Sequence, residues 1–304
     1  MDRRKVLAIV GPTGIGKTSL SVWLAKQLDG EIISCDSMQV YKKMDIGTAK
    51  VTREEMQGIH HELIDVQNYN EPYNVKVFQE KCRTAIEDVV KRGKFPILCG
   101  GTGLYLKAAL YDYEFQEENE DIAYTTFLNS KTNEELVAML KEKDEKALEK
   151  IHPNNRKRLI RALQICHSGT SKSEQEDKQQ HIPLYDVYFL GLDVNRDILH
   201  DRINKRVDIM FENGLVKEVE DLFTNPETWE YTSFQGIGYK EFKDYFLKEK
   251  SIDEVKTAIK THSRQYAKRQ YTWFKNQMPV HWFEAQNRDE IYSAVKEWLM
   301  DEDK

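Results

Sequence analysis

Val6-Leu7-Ala8-Ile9-Val10 runs directly into Gly11-Pro12-Thr13-Gly14-Ile15-Gly16-Lys17-Thr18, and the reading of this junction decides the fold. Five apolar residues that stop at a glycine-rich turn read as a buried strand. The stretch from Ser19 to Leu28 then sets Leu20, Trp23, Leu24 and Leu28 on one face of a helix. The turn between them fits G-x-x-x-x-G-K-[ST], a cradle for phosphates. Glycines let backbone N–H groups point inward, and the helix N-terminus adds partial positive charge. Lys17 sets an ammonium on the outer phosphates, and Thr18 offers a hydroxyl to Mg²⁺. Gly11, Pro12, Thr13, Gly14, Ile15, Gly16, Lys17 and Thr18 are thus the expected phosphate-binding loop. Which molecule carries the phosphates, and which bond breaks, stays open at this point.

The chain has 304 residues, which predicts a main domain carrying a sizeable insertion. The expected fold is α/β, a P-loop NTPase-like parallel sheet flanked by helices, with a mostly helical insertion domain. Residues 1–112 and 183–304 are expected to form the core, and 113–182 the insertion. No apolar run reaches bilayer length, and the basic start Asp2-Arg3-Arg4-Lys5 precedes too few apolar residues for a secretory signal. No membrane partner, a cytoplasmic location and a monomer are expected. Cys35, Cys82, Cys99 and Cys166 are too scattered for a zinc site or a disulfide framework. A net charge of −6 argues against a protein coated in nucleic acid, but it allows local basic patches.

Further along, Glu31-Ile32-Ile33-Ser34-Cys35-Asp36 reads as a second strand ending in a carboxylate, where α/β sheets gather ligands. Ser37 to Lys50 lacks a clean period and reads as a functional loop. His60 and His61 invite a metal reading, but neighbours in a strand point to opposite faces. Phe95-Pro96-Ile97-Leu98-Cys99 is followed by Gly100-Gly101-Thr102-Gly103, a second strand, glycine turn and helix. Thr102 there either presents a hydroxyl to a ligand or merely caps the helix. Ile151 to Ser173 holds Arg156, Lys157, Arg158, Arg161 and Lys172 and no acid, with Leu159, Ile160 and Leu163 as an apolar side. Strand character returns at Tyr185 to Leu192. Lys256 to Phe283 is again free of acids, and Lys256, Lys260, Arg264 and Lys268 make a stripe along one helix face. With no compensating acid in the segment, such a stripe suits an anion lying against it.

Taken together, Gly11 to Thr18, Asp36-Ser37-Met38-Gln39-Val40-Tyr41, Asp45-Ile46-Gly47-Thr48-Ala49-Lys50, Gly100-Gly101-Thr102-Gly103-Leu104-Tyr105, His152-Pro153-Asn154-Asn155, Gly238-Tyr239 and Arg264-Gln265-Tyr266-Ala267-Lys268-Arg269-Gln270 resemble the tRNA dimethylallyltransferase (tRNA isopentenyltransferase) family, in its bacterial form. The resemblance spans nearly the whole chain. It implies Mg²⁺-dependent transfer of a dimethylallyl group from dimethylallyl diphosphate to N6 of the adenosine 3′ of the anticodon. It also implies Asp36 as the base, Thr102 as an orienting hydroxyl and the glycine-rich loop as the diphosphate site. The tRNA anticodon stem-loop would meet Asp36, Ser37, Met38 and Gln39, then Lys157, Arg158, Leu159, Ile160 and Arg161, then Arg264, Lys268 and Arg269. Gln39 is the expected reader of a flipped adenine.

Two departures qualify the resemblance. The family often places an Arg early in the insertion, and none occurs from Asp112 to Phe127; Gln235 stands where some members have a basic residue. The competing readings are a small-molecule or nucleoside kinase with Asp36 as base, and a tRNA-binding protein whose loop only senses nucleotide.

Overall fold

The computed structural model describes residues 3–115, 121–174 and 181–301. Six strands form one sheet: β1 (Lys5–Val10), β2 (Gly30–Ser34), β3 (His61–Glu62), β4 (Phe95–Gly100), β5 (Asp186–Asp193) and β6 (Val280–Glu284). Their order is β3-β2-β4-β1-β5-β6, and every pairing is parallel. β1 is central, and its alternate residues feed two cores, as the two-residue repeat of a strand requires. Val6, Ala8 and Val10 pack with Leu98, Phe78, Cys82 and Ile86, whereas Leu7 and Ile9 pack with Leu20, Leu24, Ile97 and Ile291. This is the α/β sheet flanked by helices that the sequence predicts.

The chain divides into two compact units, Met1–Tyr111 with Pro183–Lys304, and Asp112–Ile182. In the second, the helices Ile122–Asn129, Asn133–Asp144 and Arg156–His167 enclose a small core of Leu128, Leu136, Leu140, Leu159 and Leu163. Part of the acidic stretch, 116–120, and part of the polar stretch, 175–180, fall outside the described residues.

Several boundaries differ from expectation. The first helix starts at Lys17 rather than Ser19, because Gly16 takes up the left-handed N-cap conformation with φ 106°. β2 stops at Ser34, so Asp36 sits in the turn beyond it rather than at the strand's last position. The segment after Gly236 forms short helical turns, Lys240–Phe242 and Lys243–Phe246. β6 and the last helix, Arg288–Met300, have no counterpart in the sequence reading. β6 is an edge strand with half-exposed side chains, so it lacks the continuous apolar run of a buried one.

Candidate active site

β1 sends the chain towards β2 on one side, and β4 sends it towards β5 on the other. The crevice between β1 and β4 is therefore a topological switch point, the place where such sheets bind ligands. Gly11 closes β1 and Gly101 follows β4. A Cβ on Gly101 would sit 2.1 Å from the Gln270 side chain and 3.3 Å from the Gly11 carbonyl, so only glycine fits there. Gln270, 6 % exposed, spans the crevice: its Oε1 accepts from Thr13 N–H at 2.9 Å and its Nε2 donates to the Gly101 carbonyl at 3.0 Å. It thereby ties the long helix Ile252–Gln277 to both glycine turns.

Lys17 Nζ folds back on its own loop and donates to the carbonyls of Gly11 (2.9 Å) and Pro12 (2.8 Å). Burial pulls the Lys17 ammonium down to about 8, and the Arg206 charge adds to this while Cys99 and Asp36 work against it. A lysine so poised gains from an arriving anion. Arg206 reaches the same place from the helix Arg196–Glu212: Nη1 donates to the Thr13 hydroxyl at 3.2 Å and Nη2 to the Ala49 carbonyl at 3.2 Å. Burial lowers the Arg206 pKa, opposed by the charges of Asp36 and Glu55, yet a guanidinium stays charged at any ordinary pH. Arg202, one turn earlier, lines the same cavity and donates to the Ile15 carbonyl at 3.4 Å.

Asp36 bends the chain after β2 into an Asx turn. Its Oδ1 accepts from the N–H groups of Met38 (2.8 Å) and Gln39 (3.3 Å), and Oδ2 has no hydrogen-bond partner among the described residues. Two cavities meet at this residue. The first, about 580 Å³, holds the loop Thr13 to Thr18 with Arg202, Arg206, Gln39 and Tyr266. The second, about 410 Å³, is lined by Ser37, Met38, Tyr73, Tyr105, Met210, Ile237 and Arg269. Asp36, Thr13, Thr48, Arg206, Met210 and Tyr266 border both.

The expected site residues scatter over this plan unevenly. Gly14, Ile15, Gly16, Lys17 and Thr18 join Thr13 and Asp36 at the first cavity, as does Gln39, whose Nε2 donates to the Ala49 carbonyl at 3.2 Å. Ser37 and Met38 border only the second. Gly11 and Pro12 contribute their carbonyls to Lys17. Thr102 precedes the helix Gly103–Leu110 without capping it by its side chain, and it borders neither cavity. It lies beside Tyr266, which does border both. Burial lifts the Tyr266 phenol to about 12, the Asp36 charge adds to this, and the polar side chains of Thr102 and Gln270 nearby offset part of it.

The basic segments also sort themselves. In the stripe, Lys256 and Lys260 both reach Asp208 Oδ1 at 2.7 Å, so one acid from another helix offsets part of its charge, which the segment's own sequence does not show. Arg264 is held by Asn204 Oδ1 at 2.5 Å and Thr261 Oγ1 at 3.1 Å. Lys268 and Arg269 are exposed, and Arg269 stacks 5.8 Å from the Tyr266 ring centroid. In the second unit, Arg156 caps the end of the helix Ile122–Asn129 through the carbonyls of Leu128, Asn129 and Lys131. Lys157, Arg158 and Arg161 are at the surface, and Ile160 is half-buried. Leu159 is corrected: its side chain is fully buried in the local core and offers nothing to an RNA.

Arg202, Arg206, Tyr266 and Gln270 are site residues that the sequence reading did not assign. The four-residue spacing of Arg202 and Arg206 on one helix face was the available signal.

The sequence pattern of the IPP transferase family matches residues 39–277. A tRNA dimethylallyltransferase of Bacillus anthracis is 49% identical over 301 residues, covering 97% of this chain and 96% of that protein. The full-length tRNA isopentenylpyrophosphate transferase of Bacillus halodurans superposes with a TM-score of 0.75 at 41% identity, covering 99% of this chain and 98% of the other. A eukaryotic dimethylallyltransferase, caught in crystallographic snapshots acting on tRNA, superposes with a TM-score of 0.84 at 31% identity over 99% of this chain and 80% of the other. On these matches the chain is a transferase and belongs to the IPP transferase family, that of the tRNA dimethylallyltransferases.

Proposed function

We infer that this chain transfers a dimethylallyl group from dimethylallyl diphosphate to N6 of the adenosine 3′ of the anticodon in tRNA. The observation that carries the reading is the place of Asp36, on the border of the cavity that holds the glycine-rich loop and of a second one beside Met38, Tyr105 and Ile237, with Oδ2 uncommitted. The diphosphate occupies the first cavity, where Lys17, Arg206 and the loop amides face it. A purine flipped out of the anticodon loop enters the second and brings its amine to the carboxylate.

The adenine N6 lone pair is delocalised into the ring, so the amine is a poor nucleophile. As N6 bonds to C1 of the prenyl group, the C1–O bond to the diphosphate breaks and Asp36 Oδ2 takes the N6 proton. The charge that appears on the leaving oxygen is met by Lys17 and Arg206. Lys17 must exchange its bonds to the Gly11 and Pro12 carbonyls for phosphate oxygens, a swap between acceptors at similar distance. Tyr266 borders both cavities and forms part of the wall between them.

The Thr18 hydroxyl, a hard oxygen on the border of the first cavity, suits Mg²⁺. Thr18 would hold the ion, which would neutralise charge on the diphosphate. Lys157, Arg158, Arg161, Lys268 and Arg269 carry tRNA phosphates.

Mass spectrometry of nucleosides from tRNA treated with the purified chain, dimethylallyl diphosphate and Mg²⁺ tests the reading. It predicts N6-prenylated adenosine at one position of the anticodon loop. ATP turnover indifferent to tRNA, with no prenylated nucleoside, would overturn it in favour of a kinase.

A further inference from the structure

The segment Asp45-Ile46-Gly47-Thr48-Ala49-Lys50 borders both cavities, yet nothing in its own sequence gives it a regular shape. Asp65 Oδ1 holds its far end through Lys50 Nζ at 2.6 Å, and a second carboxylate holds its start. Glu218 Oε2 accepts from the N–H groups of Asp45 (2.8 Å) and Ile46 (2.7 Å), and Oε1 accepts from Gly47 N–H (2.9 Å) and the Tyr239 hydroxyl (2.7 Å). Three consecutive backbone donors converging on an anion form a nest, and charge-assisted bonds of this kind are about twice as strong as neutral ones. Gly47 is required for the fit, because a Cβ there would lie 2.5 Å from the Tyr239 ring.

The consequence lies at Ala49. Its residue takes the left-handed conformation with φ 46°, and its carbonyl accepts from both Arg206 Nη2 and Gln39 Nε2. Arg206 meets the phosphate loop through the Thr13 hydroxyl. Arg206 and Glu218 belong to successive helices, Arg196–Glu212 and Leu215–Leu222, joined at Gly214. Glu218 therefore clamps the loop to the same helical hairpin that carries the arginine, and the Ala49 carbonyl aims that arginine at the phosphates.

We propose that Glu218 is a positioning residue for the prenyl donor, acting through the Asp45–Lys50 loop on Arg206. The proposal rests on the first cavity being the diphosphate site. Its mark is a selective loss: an arginine that grips the diphosphate before and during transfer contributes mainly to KM for the donor, whereas damage to the fold lowers the active fraction and leaves KM alone.

The test is steady-state kinetics of the full chain with Glu218→Ala, Glu218→Gln and Tyr239→Phe, beside Lys17→Ala. Glu218→Gln keeps the size but turns an NH₂ group against two donors, and Tyr239→Phe removes one donor of four. KM for dimethylallyl diphosphate is expected to rise roughly tenfold in both Glu218 variants and about threefold in Tyr239→Phe, with KM for tRNA unchanged within about twofold. A donor KM that stays at the wild-type value in soluble Glu218→Gln and in Tyr239→Phe, with only kcat or the melting temperature lowered, overturns the proposal. If Lys17→Ala raises donor KM while the Glu218 variants do not, the positioning role alone fails. If Lys17→Ala leaves donor KM unchanged, the diphosphate reading fails and takes this inference with it.

Discussion

Arg206 Nη1 donates to the Thr13 hydroxyl at 3.2 Å, so a guanidinium from the C-terminal half of the chain reaches the glycine-rich loop between the first strand and helix. The loop therefore does not act alone. Arg206→Ala should raise KM for the prenyl donor by about 10²-fold, the usual scale for one lost charge-assisted contact to a phosphate. Arg206→Lys should recover only part, since a single ammonium cannot bond Thr13 and Ala49 in a fork as a guanidinium does. Initial-rate measurements at varied donor concentration read both. Equal KM values in wild type and Arg206→Ala would remove the arginine from the site.

Lys17 gives the donor affinity a pH dependence. Its pKa in the free protein is lowered to about 8, chiefly by burial, and a bound diphosphate favours the protonated form. Below about 8 the lysine is already charged and affinity is flat; above it, binding must take up a proton, and the dissociation constant should climb by up to tenfold per pH unit. Calorimetry between about pH 7 and 9.5 follows this directly. Lys17→Arg, which stays charged throughout, should flatten the profile, and a wild-type affinity constant over that range would contradict the assignment.

The salt dependence of tRNA binding should separate the two ends of the basic stripe. Lys268→Ala with Arg269→Ala should reduce the slope of log K against log salt by about 1.5–2, one counterion release per lost phosphate contact. Lys256→Ala with Lys260→Ala should reduce it by less, because Asp208 offsets one of the two lysine charges at that end. Filter binding at several salt concentrations distinguishes the pairs. Equal slopes in both double variants would show that the stripe acts as one undivided surface.

The small helical unit should depend on Leu159 for its integrity. Leu159→Ala removes a fully buried side chain from a core of few residues, a loss of about 2–5 kcal/mol. Hydrogen exchange within residues 122–167 should accelerate, and exchange in β1 and β4 should not. Uniform acceleration across both units would contradict their separate cores.

The order of apolar runs and glycine turns made the sheet readable: Val6 to Val10 and Phe95 to Cys99 are continuous apolar segments, and each ends in glycine, as parallel strands buried on both faces do. β6 escaped because an edge strand alternates between half-exposed and exposed positions and carries no such run. The glycine-rich turn after β1 was readable because its pattern is local in the sequence. Arg206, Tyr266 and Gln270 were not, because each enters the site across the fold, and a lone Arg on a polar helix looks the same whether it faces solvent or a cavity. The stripe misled for the same reason: Asp208, which pairs with both Lys256 and Lys260, lies on a different helix, and counting charges along one segment cannot see it. The buried side of Leu159 was in the sequence, since Leu159 and Leu163 are one helical turn apart, and a leucine on that face belongs to a core before it belongs to an RNA.

The central claim is that Asp36 takes the proton of an amine presented from one cavity while the diphosphate leaves in the other. Asp36→Asn keeps the size and an acceptor for the Met38 and Gln39 amides while it removes the base. The most direct measurement is single-turnover transfer with saturating dimethylallyl diphosphate and tRNA, alongside the dissociation constants of both. The account predicts a transfer rate lowered by about 10²–10⁴-fold with both dissociation constants within about threefold of wild type. Transfer at the wild-type rate in Asp36→Asn, or a loss matched by an equal loss of tRNA affinity, would contradict it.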